Sequence, residues 1–302
     1  NFAHNRNCAL QHAQGKTDYV LIFDADDRFE GNFVLPEELT SDRYYLRMAN
    51  SVTGANVYFR TLMFRNDGSF YWRGVLHEFV EQRKKTVVEQ KIFGDYYVIS
   101  GRFGARSNNP QKYFQDAQVL EKAFYSPEDE DLKDRYAFYT AQSYRDADMP
   151  EKAIEWYAKR ANLGGWYEEV YYSLLQIALL KIELNAPLDE VQNLLLAAYE
   201  YRPQRAESLY HLARQLRFHN KARLAYIYAT VAANIPLSKD ILFVNHAVYE
   251  WKAKEELAMS ANSVGNYQLC HDLCVELLFN PAVPEPNRKL LLDNLKLAKE
   301  YL

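Results

Sequence analysis

Two carboxylates, Asp24 and Asp26, lie two residues apart at the end of a short apolar run, residues 19–23. An apolar run of this length is typical of a buried strand. Like charges at the end of such a strand repel each other, and loss of water worsens the repulsion. A divalent cation removes the conflict, because Mg²⁺ and Mn²⁺ accept carboxylate oxygens as ligands. The pair therefore predicts a metal-diphosphate site, and the alternative is a solvated turn that caps a helix.

The residues around this pair are predicted to mix α and β structure as far as residue 108. A short helix over residues 1–14 leads into the strand of residues 19–23. Asn66-Asp67-Gly68 is a turn signal between two strands. The further predicted strands cover residues 44–48, 57–64, 70–72, 86–91 and 96–99.

From Asn109 onward the pattern is helical. Asn109 is a suitable N-cap and Pro110 a suitable first helical residue. One apolar stripe follows i, i+3, i+4 spacing, and it consists of Tyr171, Leu174, Leu175, Ala178, Leu179 and Ile182. Six pairs of residues interrupt the helices, namely Met149-Pro150, Gly164-Gly165, Ala186-Pro187, Arg202-Pro203, Ile235-Pro236 and Asn280-Pro281.

These interruptions predict helix hairpins that repeat at about 34 to 45 residues, the range of tetratricopeptide-type arrays. Such an α-solenoid presents a concave surface that binds a partner. The alternative is that the helices support the N-terminal domain or mediate dimerisation.

Composition excludes some classes of protein. The net charge of -4 gives no overall reason to expect nucleic-acid binding. Cys8, Cys270 and Cys274 are too few for a disulfide framework and fit a reducing, cytoplasmic compartment. Cys270 and Cys274 are predicted to be core thiols, not zinc ligands. No apolar run is long enough for a transmembrane helix.

The N-terminal segment resembles the family 2 glycosyltransferases of GT-A fold. In that family an Asn/Asp-Phe…Arg-Asn-x-Ala-Leu segment precedes a strand that ends in Asp-Ala-Asp. The matching residues here are Asn1-Phe2, Arg6-Asn7, Ala9-Leu10 and Asp24-Ala25-Asp26. The resemblance covers residues 1–125 and is closest to members that carry tetratricopeptide repeats after the transferase domain.

This resemblance implies an α/β domain followed by an all-α domain. Residues 1–108 are expected to form the C-terminal portion of a GT-A-like domain, and residues 109–302 the helical repeat. A GT-A fold opens with a βαβαβ unit that binds the nucleobase. Because nothing before Asn1 supplies this unit, the N-terminal part of the domain is expected to be missing.

The resemblance also implies roles for individual residues. Asp26 would ligate Mn²⁺ or Mg²⁺, and Asp24 would contact the ribose or the donor sugar. Arg6 would lie near the donor phosphates or hold the Asp24 loop through a bidentate pair. The full set of implied donor-binding residues is Asp24, Asp26, Arg6, Asn7 and Arg102, the last with Arg106 and Lys112 in a basic segment.

A second segment, residues 72–78, resembles the family's Trp-x-Gly-x-x-His-Glu motif. Neutral His77 would be a metal ligand or phosphate contact, and Glu78 the general base. Asp67 is the alternative base. Trp72 would stack on the acceptor or donor sugar, and the alternative is an ordinary core tryptophan.

The leading hypothesis is therefore an inverting glycosyltransferase. It would move a sugar from a nucleotide-diphosphate donor, a UDP-sugar by preference, to a hydroxyl of a saccharide, protein, lipid or modified nucleobase. The alternative is a repeat-based protein-interaction scaffold with a degenerate transferase domain. A metal-dependent phosphotransferase or hydrolase ranks last, because no phosphate-binding glycine loop has the required spacing.

Overall fold

The structure, a computed structural model, describes residues 1–49, 57–101 and 109–302. It contains two compact units, Asn1–Ala147 and Asp148–Leu302. All strands of the described residues lie in the first unit. The change from strands to helices falls near the predicted domain boundary at residues 108/109. The two compact units, however, meet later, at Ala147 and Asp148. The predicted boundary therefore stays a prediction.

In its described residues the first unit combines strands with three α-helices. Its larger sheet has six strands in the order β1-β4-β3-β8-β2, with β7 also paired to β3, and a separate hairpin pairs β5 with β6. The bounds are α1 (Phe2–Ala13), β1 (Tyr19–Leu21), β2 (Arg28–Gly31), β3 (Arg43–Ala49), β4 (Val57–Arg65), β5 (Phe70–Arg73), β6 (Phe79–Gln82), β7 (Glu89–Lys91), β8 (Tyr96–Ile99), α2 (Lys112–Phe124), a 3-10 helix (Pro127–Leu132) and α3 (Lys133–Asp146).

The core of the larger sheet lies on one face of β3. Tyr44, Leu46 and Met48 alternate along the strand and are fully buried, because successive side chains of a strand point to opposite faces. Val98 of β8 joins this cluster. The strands predicted near residues 44–48, 57–64, 70–72 and 96–99 are confirmed, and the strand predicted at 86–91 is shorter than expected.

The strand predicted at residues 19–23 is present over Tyr19–Leu21, but the prediction that it is buried is wrong. Within the described residues β1 pairs only with β4, in antiparallel orientation, and lies at the end of the strand order. Leu21 and Phe23 are accordingly 42% and 37% exposed. Within the described residues, Asp24 and Asp26 therefore follow a strand at the edge of the sheet, not the buried strand that the sequence predicted.

Two helices fix the segment that follows β5. Leu120 and Ala123 of α2 and Tyr136 of α3 pack with Leu76. The Val75 N–H donates a hydrogen bond to the Tyr136 hydroxyl. The predicted start of α2 is two residues early: Asn109 accepts a hydrogen bond from the Gln111 N–H in a turn before the helix begins.

The second unit is a succession of helix hairpins. Each helix packs on the next, and α7 also contacts α9, as α9 contacts α11. The bounds are α4 (Pro150–Leu163), α5 (Tyr167–Glu183), α6 (Leu188–Tyr201), α7 (Glu207–Phe218), α8 (Ala222–Asn234), a π-helical turn (Val248–Lys252), α9 (Ala253–Ser263), α10 (Tyr267–Leu278) and α11 (Glu285–Lys299). The six predicted interruptions all fall between helices, and the predicted helical repeat is confirmed.

Small buried side chains let these helices pack closely. Ala178, Ala225 and Ala258 are fully buried on three different helices. Cys270 and Cys274 are buried free thiols on α10, which confirms that they belong to the core.

A buried polar network holds the loop between α8 and the π-helical turn. Arg205 pairs with Glu207 at 2.8 Å and donates hydrogen bonds to the carbonyls of Leu242 and Phe243. Glu168 accepts hydrogen bonds from the N–H groups of Ile241 and Leu242. The loop backbone is thus satisfied by charged side chains in place of regular secondary structure.

Candidate functional site

Arg6 brings together residues from three of the predicted segments. Its Nη2 donates to Asp24 Oδ1 and its Nε to Glu78 Oε1, each at 2.7 Å. The guanidinium carbon lies 4.7 Å from the centroid of the Trp72 ring. Burial lowers the pKa of Arg6, but its hydrogen bonds with Glu78 and Asp24 outweigh this effect and raise it. Arg6 thus neutralises Asp24, one of the two carboxylates that the sequence suggested a metal would neutralise, together with Glu78.

A cleft of about 480 Å³ opens beside this cluster. The turn of residues 24–27 forms one wall, and Gly101 lies so close to it that a Cβ would overlap the Asp26 backbone. The His77 ring is exposed and stacks on Tyr139 with 3.9 Å between ring centroids. The lining residues are Phe2, Arg6, Asp24, Asp26, Arg60, Leu76, His77, Glu78, Lys112 and Asp116.

Five predicted site residues line the cleft, namely Arg6, Asp24, Asp26, His77 and Glu78. Across residues 1–49, 57–101 and 109–302, no three His, Cys, Asp or Glu side chains are grouped as metal ligands would be. The roles of Asp26 and His77 as ligands of Mn²⁺ or Mg²⁺, and of Glu78 as a base, stay predictions.

Asn7 and Trp72 hold the fold together and do not line the cleft. The Asn7 side chain donates to the Trp72 carbonyl at 2.8 Å and accepts from the Trp72 N–H at 2.7 Å, which ties α1 to β5. Trp72 is only 3% exposed and lies under Arg6, so its ring is not open to stack on a sugar. It matches the predicted alternative of a core tryptophan, and the Asn7 amide is already occupied by backbone.

Asp67 lies outside the cleft, on the turn between β4 and β5. Its carboxylate pairs with Lys84 at 2.8 Å and accepts the Ser69 N–H at 2.9 Å. Desolvation raises its pKa, but the hydrogen bonds from Lys84 and Ser69 prevail and lower it to about 2. Such a carboxylate is a weak base near neutral pH. The predicted donor contacts at Arg102 and Arg106 fall outside the described residues.

A second candidate site, which the sequence did not indicate, lies in the helical unit. A cavity of about 410 Å³ runs between α7, α9 and α11, and we call it the inner groove. Its lining residues are Tyr210, Arg214, Arg217, Phe218, Trp251, Lys252, Glu255, Glu256, Met259, Asn287 and Leu290. On α7 the spacing of Tyr210, Arg214 and Arg217 places them on one helix face, which is the only signal the sequence carries.

The inner groove combines satisfied and unsatisfied charges. Arg217 donates to both carboxylate oxygens of the buried Glu256, at 2.6 and 2.9 Å. Asn287 donates to Glu255 at 2.7 Å. Arg214 and Lys252 form no ion pair with any residue in the described part of the chain. The groove therefore keeps two cations that can meet a ligand.

The charges of the groove also affect the pKa of the neighbouring His211, and we expect the stability of the helical unit to depend on pH as a result. Burial lowers the pKa of His211, Arg214 and Lys252 lower it further, and Glu207 raises it, with a result of about 4. Because the unfolded pKa is about 6.5, the unfolded chain binds the proton first as the pH falls. Stability is then full above pH 6.5 and declines towards pH 4, by about 1–3 kcal/mol.

Urea unfolding at pH 7 and pH 4.5 measures this decline. His211→Gln, which cannot titrate, should lose less stability between the two values than the wild-type chain. Equal losses in both proteins would mean that other groups carry the pH dependence.

Comparison with known proteins gives only remote structural likenesses. No protein-family model and no curated protein matches the chain. Among solved structures, MamA is similar over 70% of this chain and 96% of its own, at 11% identity and a TM-score of 0.43. BtubC from P. vanneervenii is similar over 54% of this chain and 69% of its own, at 17% identity and a TM-score of 0.44. Nearly identical TPR-like repeats of a Podosopora anserina kinesin light chain are similar over 58% of this chain and 89% of their own, at 16% identity and a TM-score of 0.41.

These findings correct the leading hypothesis. The predicted resemblance to the family 2 glycosyltransferases, and the enzyme activity that follows from it, are wrong: no family model matches, and the named structures include repeat proteins but no glycosyltransferase. The α/β part of the chain is therefore not assigned to the GT-A fold. At TM-scores below 0.5 the likenesses say nothing about what this chain binds.

The described part of the chain also contains no helix that is both long and apolar enough to span a bilayer. Of the two predicted functions, the helical repeat itself favours the alternative, a repeat-based interaction scaffold.

Proposed function

We propose that the helical unit Asp148–Leu302 is a protein-interaction scaffold that binds a segment of another protein in the inner groove. The observation that carries this proposal is the groove itself, which crosses three helices that contact one another in alternate order, α7, α9 and α11. Stacked helix pairs present this kind of continuous surface to a ligand.

The side chains of the inner groove suit a protein ligand. Phe218 and Leu290 are 56% and 44% exposed although both are large and apolar. Tyr210 and Trp251 lie deeper in the groove, and their side chains are buried. Aromatic residues and arginine contribute most of the binding energy at protein interfaces, particularly where apolar contacts surround them. The groove thus offers apolar anchoring sites next to charged groups.

Selection from a library of random peptides tests the proposal. We expect peptides that bind the wild-type chain and lose binding when Phe218→Glu and Leu290→Glu are introduced, because each change places a charge in an apolar contact. Ile227→Glu is the matched control, since Ile227 is also exposed but lies on α8 outside the groove.

Hydrogen exchange with a selected peptide then locates the contact. Protection should rise in α7, α9 and α11. Peptides that bind equally to the groove variants, or a library that returns no binder at all, would refute the groove as the binding site.

A further inference from the structure

We infer that the inner groove selects an acidic ligand: a protein segment that carries side-chain carboxylates beside an apolar residue. This inference rests on the proposed function and adds the chemical class of the partner. It follows from the charges that the groove has left over once its internal pairs are made.

Three cations and two carboxylates line the groove, and one ion pair forms between them. Arg217 is held by the buried Glu256 through two hydrogen bonds. Glu255 is partly buried and accepts a hydrogen bond from Asn287. Among the described residues, two cations, Arg214 and Lys252, therefore remain without an ion pair against one carboxylate, Glu255, so the groove is net positive and repels a basic ligand more than an acidic one.

The remaining cations stand beside aromatic rings. The Arg214 guanidinium carbon lies 5.3 Å from the Phe218 ring centroid, and Lys252 Nζ lies 5.6 Å from the Trp251 ring centroid. A carboxylate that reaches Arg214 brings its neighbouring side chain to the exposed face of Phe218. The recognised unit is thus an acidic residue next to an apolar one.

The positive charge of the groove also acts on the neighbouring His211: burial lowers the pKa of this ring, and Arg214 and Lys252 lower it further. Complementary charge of this kind raises the association rate and discriminates between partners, and salt screens it.

Three fluorescein-labelled peptides of the same length test the inference: one alternating Glu and Leu, one Gln and Leu, and one Lys and Leu. Fluorescence anisotropy at low salt should show the Glu peptide binding about tenfold or more tightly than the Gln peptide, with the advantage reduced in 0.5 M salt. The Lys peptide should bind least.

Charge-reversal variants assign the effect to the two cations. The Arg214→Glu/Lys252→Glu chain should lose the preference for the Glu peptide and favour the Lys peptide. Arg223→Glu, an exposed arginine on α8 outside the groove, should bind all three peptides as the wild type does. Unchanged circular dichroism of each variant establishes that its fold is intact.

The outcomes separate this inference from the proposed function. If library peptides that depend on Phe218 and Leu290 are neutral or basic, the groove binds protein but the acidic class is wrong. If the charge-reversal variant binds the Glu peptide as well as the wild type does, the inference is overturned. If no peptide depends on the groove, both fall.

Discussion

Arg205→Ala is expected to destabilise the helical unit by about 3–5 kcal/mol, the usual effect of removing one partner from a buried ion pair. Arg205 and Glu207 are 0% and 2% exposed at the side chain. The substitution leaves Glu207 as a buried charge without its cation, and it leaves the carbonyls of Leu242 and Phe243 without a donor. The unpaired charge of the buried Glu207 carries a desolvation cost that water cannot offset, and it accounts for most of the expected loss.

Urea unfolding followed by far-ultraviolet circular dichroism measures this effect. Arg223→Ala is the matched control, because Arg223 is exposed and makes no ion pair with the described residues; its effect should stay within about 0.5 kcal/mol. Arg205→Lys should fall between the two, since it keeps the charge but not the fork of donors. A loss below about 1 kcal/mol in Arg205→Ala would show that the network contributes little.

The network also bears on binding. Glu168 and Glu207 lie at the beginnings of α5 and α7, and the loop they hold leads into the π-helical turn that carries Trp251 and Lys252. A loop with fixed hydrogen bonds delivers these two groove residues in one arrangement. Binding then costs less conformational entropy than it would with a mobile connection.

Local signals made the helical unit predictable from the sequence. Proline and glycine at pairs such as Met149-Pro150 and Gly164-Gly165 end helices through the backbone alone, without any tertiary contact. The apolar stripe on α5 is likewise set by helical spacing, and Tyr171, Leu175 and Ala178 are indeed buried. Such features need only the residue types and their order.

Features that depend on distant partners were not predictable. The strand at residues 19–23 looks buried by composition, but its exposure depends on which strand lies beside it, and only β4 does so within the described residues. A contact of Arg6 with the Asp24 loop was one of its two implied roles, but the sequence does not show that the same guanidinium also reaches Glu78. The inner groove draws on three helices, and the sequence does not show which of their faces converge.

Leu216→Ala is expected to cost about 2–5 kcal/mol, which makes it the largest purely apolar effect that we predict. Leu216 is fully buried on α7 and belongs to the cluster that also contains Leu175, Leu195 and Leu212. The smaller side chain loses its transfer free energy and leaves a cavity that well-packed helices fill only in part. Unfolding in urea gives the change in free energy.

The position of the damage is as informative as its size. Units of a helical repeat contact mainly their neighbours, so hydrogen exchange in Leu216→Ala should accelerate most in α5 to α8 and less in α11. Leu224→Ala on the exposed face of α8 is the control and should cost less than about 1 kcal/mol. Uniform acceleration across the unit would mean that its helices unfold as one cooperative block, and a groove ligand would then stabilise all of them together.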